Sequence, residues 1–241
     1  MSDIRAIVRQ ELRVLGADPF PIFLLIVTPL LMLAFLSRAL VGEELQSVPG
    51  LTILFGLFGI SVVGHSFFRD HGWRTWSRLR ASVSTPNLLL GKVAPLGLLF
   101  FAQQAIVIYS SKVFGLKIEG SFARLSMTFC AITLFELGLG LLTVALCRSI
   151  QHVSAVSTVG ALLIGGVGGA LAPITLLPHW AQTLGRASPA YWAMRSLRSA
   201  LVGEPLRQSA LPMIVLSAIG VLTIALALLT FHSDGEKQFY G

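Results

Sequence analysis

Charge is scarce in this sequence. Only 12% of its 241 residues are charged and 54% are hydrophobic, where a soluble domain carries about 25% charged residues. With a mean hydropathy of +0.79, that shortage excludes an ordinary soluble fold and points to an integral membrane protein. Acid is scarcer than base: 11 Asp and Glu stand against 18 Lys and Arg, a net charge of +7. In a membrane chain such basicity points to loops beside anionic lipid rather than to nucleic acid. Cysteine is limited to Cys130 and Cys147, both in one hydrophobic block. They offer no metal-ligand spacing and read as packing residues. No Gly-Lys-Ser or Gly-Lys-Thr phosphate loop occurs, so any ATP that drives this chain is bound by another polypeptide. No histidines pair as His-x-x-x-His and no serine sits in Gly-x-Ser-x-Gly, which disfavours an intramembrane metalloprotease or serine hydrolase. There is no long linker, low-complexity run or internal repeat, which argues against carriers built from repeats.

What remains is apolar and periodic. Residues 1–18 carry Arg5, Arg9 and Arg13 beside an apolar row of Ile4, Val8, Leu12 and Leu15. This predicts an amphipathic helix lying at the membrane interface. Arg13 and Asp18 sit too deep for a signal peptide, and no cleavage site follows closely. Six hydrophobic blocks come next: Phe20–Leu36, Leu51–Phe68, Val93–Ser111, Leu125–Cys147, Val153–Leu171 and Leu211–Phe231. Each can span a bilayer that needs roughly 20 residues. The expected fold is therefore an all-α membrane protein with an interfacial helix, six transmembrane helices and a re-entrant segment before the last. It forms one transmembrane domain over residues 1–241.

The longest strongly polar stretch between two blocks is Arg69–Lys92. Trp73, Trp76, Leu79 and Val83 recur at helical spacing, and Arg74 and Arg78 share another face. A short amphipathic helix follows, ending near Ser84-Thr85 because Pro86 disfavours the α conformation before it. An ordinary cytoplasmic loop, with orienting arginines and interfacial tryptophans, is the rival reading. Six spans put both ends on one side. Ten Lys and Arg fall on that side and eight on the other, with the densest clusters before the first span and after the second. Both termini are thus expected in the cytoplasm.

Residues 172–210 contain Pro173, Pro178, Pro189 and Pro205 and two short amphipathic pieces, Trp180–Arg186 and Tyr191–Leu201. A segment too short to span, broken by proline and flanked by aromatics, fits a re-entrant hairpin; an extracellular loop is the alternative. The fifth block carries Ala161, Gly165 and Gly169 at spacing four, a stripe suited to close helix packing. Glu136 lies eleven residues from either end of Leu125–Cys147. A carboxylate at mid-membrane marks a functional site or a buried hydrogen-bonded residue, and both readings stay open.

Several stretches carry a family resemblance. Arg69-Asp70-His71-Gly72, Trp76-x-x-Leu79-Arg80-Ala81-Ser82, Pro86 and Leu90-Gly91-Lys92 resemble the loop between the second and third helices of ABC-2 type transport permeases. Leu177-Pro178-x-Trp180, Ser188-Pro189-x-x-Trp192 and Leu197-Arg198-x-x-Leu201 resemble that family's segment before the last span. Trp73 and Arg74 follow the glycine where the family most often has threonine and a short spacer, and Val83-Ser84-Thr85 precede the proline. The resemblance covers essentially the whole chain.

It implies an exporter subunit, not an enzyme, in the bacterial inner membrane. Two permease chains, identical or different, would work with two copies of an ABC ATPase that binds ATP and Mg; this chain would hold no cofactor or metal. The cargo would be an amphiphile: a drug, an antibiotic, a lipid or a lipid-linked glycan. Arg69, Asp70, Trp73, Arg74, Trp76, Arg78, Leu79 and Arg80 would couple to the ATPase; Glu136, from its own mid-membrane position, is the candidate for the transport path. The other function class is an ion-coupled secondary transporter with Glu136 as proton carrier. It needs a second polar centre, and the sequence reading finds none.

Overall fold

The computed structural model describes residues 2–36, 41–72 and 85–230. Its regular elements are all helical. Helix α1 (Ser2–Ala17) is followed by α2 (Phe20–Leu36) after a 74° bend. Asp18-Pro19-Phe20-Pro21 makes that corner. The Asp18 carboxylate accepts the Phe20 N–H at 3.0 Å, and proline is tolerated in a first helical turn, where N–H groups lack partners anyway. Within α2, Phe23–Val27 forms a π turn just before Pro29, whose missing N–H leaves the regular ladder open there.

Helices α3 (Glu44–Phe58) and α4 (Ile60–Gly72) form one span, Glu44–Asp70, interrupted at Gly59. Helix α5 (Thr85–Ser110) runs on through a 3₁₀ turn at Ser111–Phe114. Helices α6 (Phe122–Leu146) and α7 (Ile150–Val167) are joined by a short turn in which the Ser149 hydroxyl caps α7 through the His152 N–H. Two short helices, α8 (His179–Ala187) and α9 (Pro189–Val202), precede α10 (Leu206–Thr230). Among the described residues, five helices are long and apolar enough to cross a membrane, or six if the bent α1–α2 pair supplies one.

The boundaries differ from the sequence expectation where polar residues continue a helix beyond its apolar block. The second span begins at Glu44 instead of Leu51 and ends at Asp70. The third helix begins at Thr85, so Lys92 lies inside it and not in the preceding loop. In α1 the inward face is Ile4, Ile7, Val8, Glu11, Val14 and Leu15, whereas Leu12 is exposed. Cys130, expected to pack, faces outward.

Helix α6 is the hub. It packs most extensively on α10, and also on α4, α5 and α9. The α6–α10 contact is close because Gly138 meets Gly220: a Cβ at Gly138 would stand 2.6 Å from the Gly220 carbonyl oxygen. Small residues at such crossings bring helix backbones together and gain dispersion contacts that lipid cannot replace. Helix α9 is buried along one side, with Ala190, Ala193, Leu197, Ala200 and Leu201 inaccessible. Its end is held by the Glu119 and Gly120 N–H groups, which donate to the Leu201 carbonyl at 2.9 and 3.1 Å. Apolar residues of α7 and α10 such as Leu163, Leu222 and Leu229 point outward, as lipid-facing side chains do.

Candidate functional site

The two flanks of the 69–92 segment meet in a buried ionic cluster. Arg69 and Asp70 lie at the end of α4, and Lys92 lies two turns into α5. The Lys92 ammonium is 2.6 Å from Glu11 Oε1 and 2.5 Å from Asp70 Oδ2. It also donates to the Ser66 carbonyl at 3.0 Å and sits 5.3 Å from the Phe67 ring centroid. Glu11 Oε2 accepts from Arg69 at 2.9 Å and from the Ser66 hydroxyl at 3.2 Å. Lys92, Asp70 and Glu11 are 1%, 2% and 3% exposed. Lys92 thus faces two carboxylates out of water, and the partly exposed Arg69 adds a second cation at Glu11. Ions removed from water are tolerated only when paired with good geometry and further hydrogen bonds. The cluster therefore ties α1, α4 and α5 into one unit at the base of the segment.

A second polar group lies inside the bundle. Glu136 of α6 is fully buried. Its Oε2 accepts from Gln104 Nε2 at 3.3 Å, and the same amide donates to Thr133 Oγ1 at 3.0 Å. Its Oε1 lies against Gly56 of α3, where any Cβ would collide with it. Next along α5, Gln103 Nε2 donates to the Thr52 carbonyl at 3.2 Å. The Oε1 atoms of Glu136, Gln103 and Gln104 have no hydrogen-bond partner among the described residues. Such atoms are costly at membrane depth, so this strip joining α3, α5 and α6 is a candidate for function.

With both geometries in place, comparison with known proteins identifies the family. The model of the ABC-2 type transporter family matches residues 2–202, which include α1, the ionic cluster, Glu136 and α9. The chain belongs to the ABC-2 type transporter family. No curated protein and no solved structure matches it. The ABC-2 chain is accordingly a multi-pass membrane subunit of an ABC transporter, a permease.

Among the coupling residues expected in this ABC-2 chain, Arg69 and Asp70 join the ionic cluster. Trp73, Arg74, Trp76, Arg78, Leu79 and Arg80 lie outside the described residues. Ala161 is buried, and a Cβ at Gly165 would touch Leu54 of α3 at 3.2 Å. Gly169 falls past the end of α7, with φ +88°, and its carbonyl accepts the Gln46 amide at 2.7 Å. It is a turn residue and not a member of the α7 packing stripe.

Sequence reasoning missed Glu11, Ser66, Gln103 and Gln104, and it left Lys92 out of the site. Glu11 did carry a signal: it lies four residues after Ile7 and four before Leu15, an acid on an apolar helix face. Gln103-Gln104 was likewise visible as an amide pair inside an apolar block. Through Gln104 it belongs to the Glu136 centre itself.

Proposed function

We propose that this chain is the membrane subunit of an ATP-driven exporter. Two permease chains and two ATPase subunits would move an amphiphilic cargo, a drug, antibiotic, lipid or lipid-linked glycan, outward across a bacterial inner membrane. The observation that carries this reading is the Glu11–Lys92–Asp70–Arg69 cluster. It joins the two ends of the 69–92 segment to each other and to α1. A force applied to that segment by an ATPase then moves α1, α4 and α5 together. A loop that only set membrane orientation would not need such a connection.

Trp73, Trp76 and Leu79, with the Arg74/Arg78 face, dock in a groove of the ATPase in the manner of helix-in-groove recognition. ATP and Mg stay on that partner. Glu136, with Gln103 and Gln104, forms a polar strip along the cargo path, where intramembrane carboxylates concentrate.

Isolation of the tagged chain from its native membranes tests the proposal. It should bring down an ABC ATPase in equal amount, with vanadate-sensitive ATP hydrolysis. A chain that moves cargo with a proton gradient and no ATPase would instead favour the ion-coupled reading with Glu136 as carrier.

A further inference from the structure

At the end of the bundle away from the ionic cluster, a cleft of about 430 Å³ opens. Three spans terminate around it: α3 begins at Glu44, α7 ends at Val167 and α10 begins at Leu206. In a bilayer that is the depth of lipid headgroups. A volume of this size falls within the range of small-ligand sites, roughly 300–1,000 Å³.

The charges around the cleft are disposed unevenly. Arg195 and Arg198 lie three apart on α9, on one helical face. Arg198 is fixed by its Nε, which donates to the Leu45 carbonyl at 3.1 Å, leaving the end of its guanidinium toward the cleft. Arg195 is exposed, and its guanidinium has no partner among the described residues. Across the left-handed turn at Gly203, φ +78°, the chain places Glu204 on the same wall. Its carboxylate is likewise unpaired among the described residues, although its backbone carbonyl accepts from Arg124. Arg195, Arg198 and Glu204 therefore line one cleft without an ion pair between them, and the Glu43 carboxylate, outside the lining, also acts on Arg198. Leu45, Ile174, Met194 and Val202 supply apolar wall.

The geometry points to a binding site for the headgroup of a zwitterionic phospholipid, with its phosphodiester on Arg195 and Arg198 and its ammonium on Glu204. Guanidinium groups bind phosphate oxygens by paired, charge-assisted hydrogen bonds. A carboxylate in the lining of the same cleft selects an ammonium over a neutral hydroxyl. The apolar wall and the depth at the span ends suit the glycerol backbone and the first acyl carbons. The inference does not depend on the direction of transport or on the cargo.

The test is equilibrium binding to the purified full-length chain in detergent, by calorimetry. Four probes are compared: dihexanoyl-phosphatidylethanolamine, dihexanoyl-phosphatidylglycerol, dihexanoylglycerol and free phosphoethanolamine. The parent should bind the ethanolamine lipid about tenfold more tightly than the glycerol lipid. It should bind dihexanoylglycerol weakly, and free phosphoethanolamine at least tenfold more weakly than the lipid. Arg195→Ala should weaken both phospholipids. Glu204→Gln should weaken only the ethanolamine lipid and abolish the preference. Both side chains lack protein partners among the described residues, so both variants should keep the parent's unfolding midpoint; Arg195→Lys, which keeps the charge, should retain most binding. Equal affinity of the parent for the two phospholipids would overturn the proposal, as would a preference that survives Glu204→Gln. Free phosphoethanolamine binding as tightly as the lipid would replace the lipid with a soluble zwitterion.

Discussion

Asp70 and Lys92 stand 22 positions apart, on either side of residues 71–91, yet their charged groups meet at 2.5 Å. Lys92 is also the partner of Glu11, at 2.6 Å. One ammonium thus closes the segment on itself and fastens it to the interfacial helix.

Lys92→Ala should be severely disruptive. Removing one member of a buried ionic set costs roughly 3–5 kcal/mol because the others stay buried and unpaired. Here two carboxylates would lose their shared cation. We expect lower yield of the inserted chain and a lower unfolding midpoint in detergent. Removing the Lys92–Asp70 pair together, Lys92→Met with Asp70→Asn, leaves Glu11 paired with Arg69 and should be far milder. If the single variant were as stable as the parent, the cluster would not hold α1, α4 and α5 together.

Trp76→Ala combined with Arg78→Ala addresses the docking of the segment on the ATPase. Interface aromatics and arginines supply most of the binding energy in protein contacts. The double variant should insert normally but bind the ATPase less tightly and separate ATP hydrolysis from transport. Transport at the parent's rate would leave the segment as an ordinary loop.

The long-range architecture was legible from hydropathy because bilayer thickness fixes span length. The short helices α8 and α9 were legible too: Pro178 and Pro189 stand just before or at their starts, and amphipathic pieces follow. The ionic cluster was not. Its members are Glu11, Ser66, Arg69, Asp70 and Lys92, scattered over three helices, and side-chain periodicity within one helix says nothing of which neighbour a charge will meet. Charge counting also put Lys92 in a loop, since a lysine beside a span normally marks the water boundary. Gly169 misled for a related reason: it continues a spacing of four from Gly165, but the helix has already ended at Val167.

Orientation is open to chemical labelling. Single cysteines at Ser84 and Gly235 should react with an impermeant thiol reagent only from the cytoplasmic side, and one at Glu44 only from outside. The clustering of Arg69, Arg74, Arg78 and Arg80 beside the second span motivates this. Labelling of position 84 from outside would end the coupling role, because no ATPase could reach the segment.

Glu136→Gln separates transport from packing. The carboxylate is held from one side by Gln104, at 3.3 Å from Oε2, while Oε1 faces Gly56 without a partner among the described residues. Glutamine keeps the size and one carbonyl acceptor for the Gln104 amide, and it replaces the other oxygen with a donor group. Gln104 Oε1 also lacks a partner among the described residues, so the strip holds an acceptor for a new donor. The variant should therefore insert, assemble and unfold like the parent. Glu136→Ala, by contrast, removes the acceptor and should lose about 1–3 kcal/mol of stability, the cost of an unsatisfied buried polar group. If the carboxylate lies on the cargo path, Gln should still change transport rate or cargo preference, by about tenfold for each 1.4 kcal/mol of interaction lost. Stable Glu136→Gln protein that transports at the parent's rate with the parent's preference would make Glu136 a packing residue, and the polar strip on α5 and α6 would then serve only to join the helices.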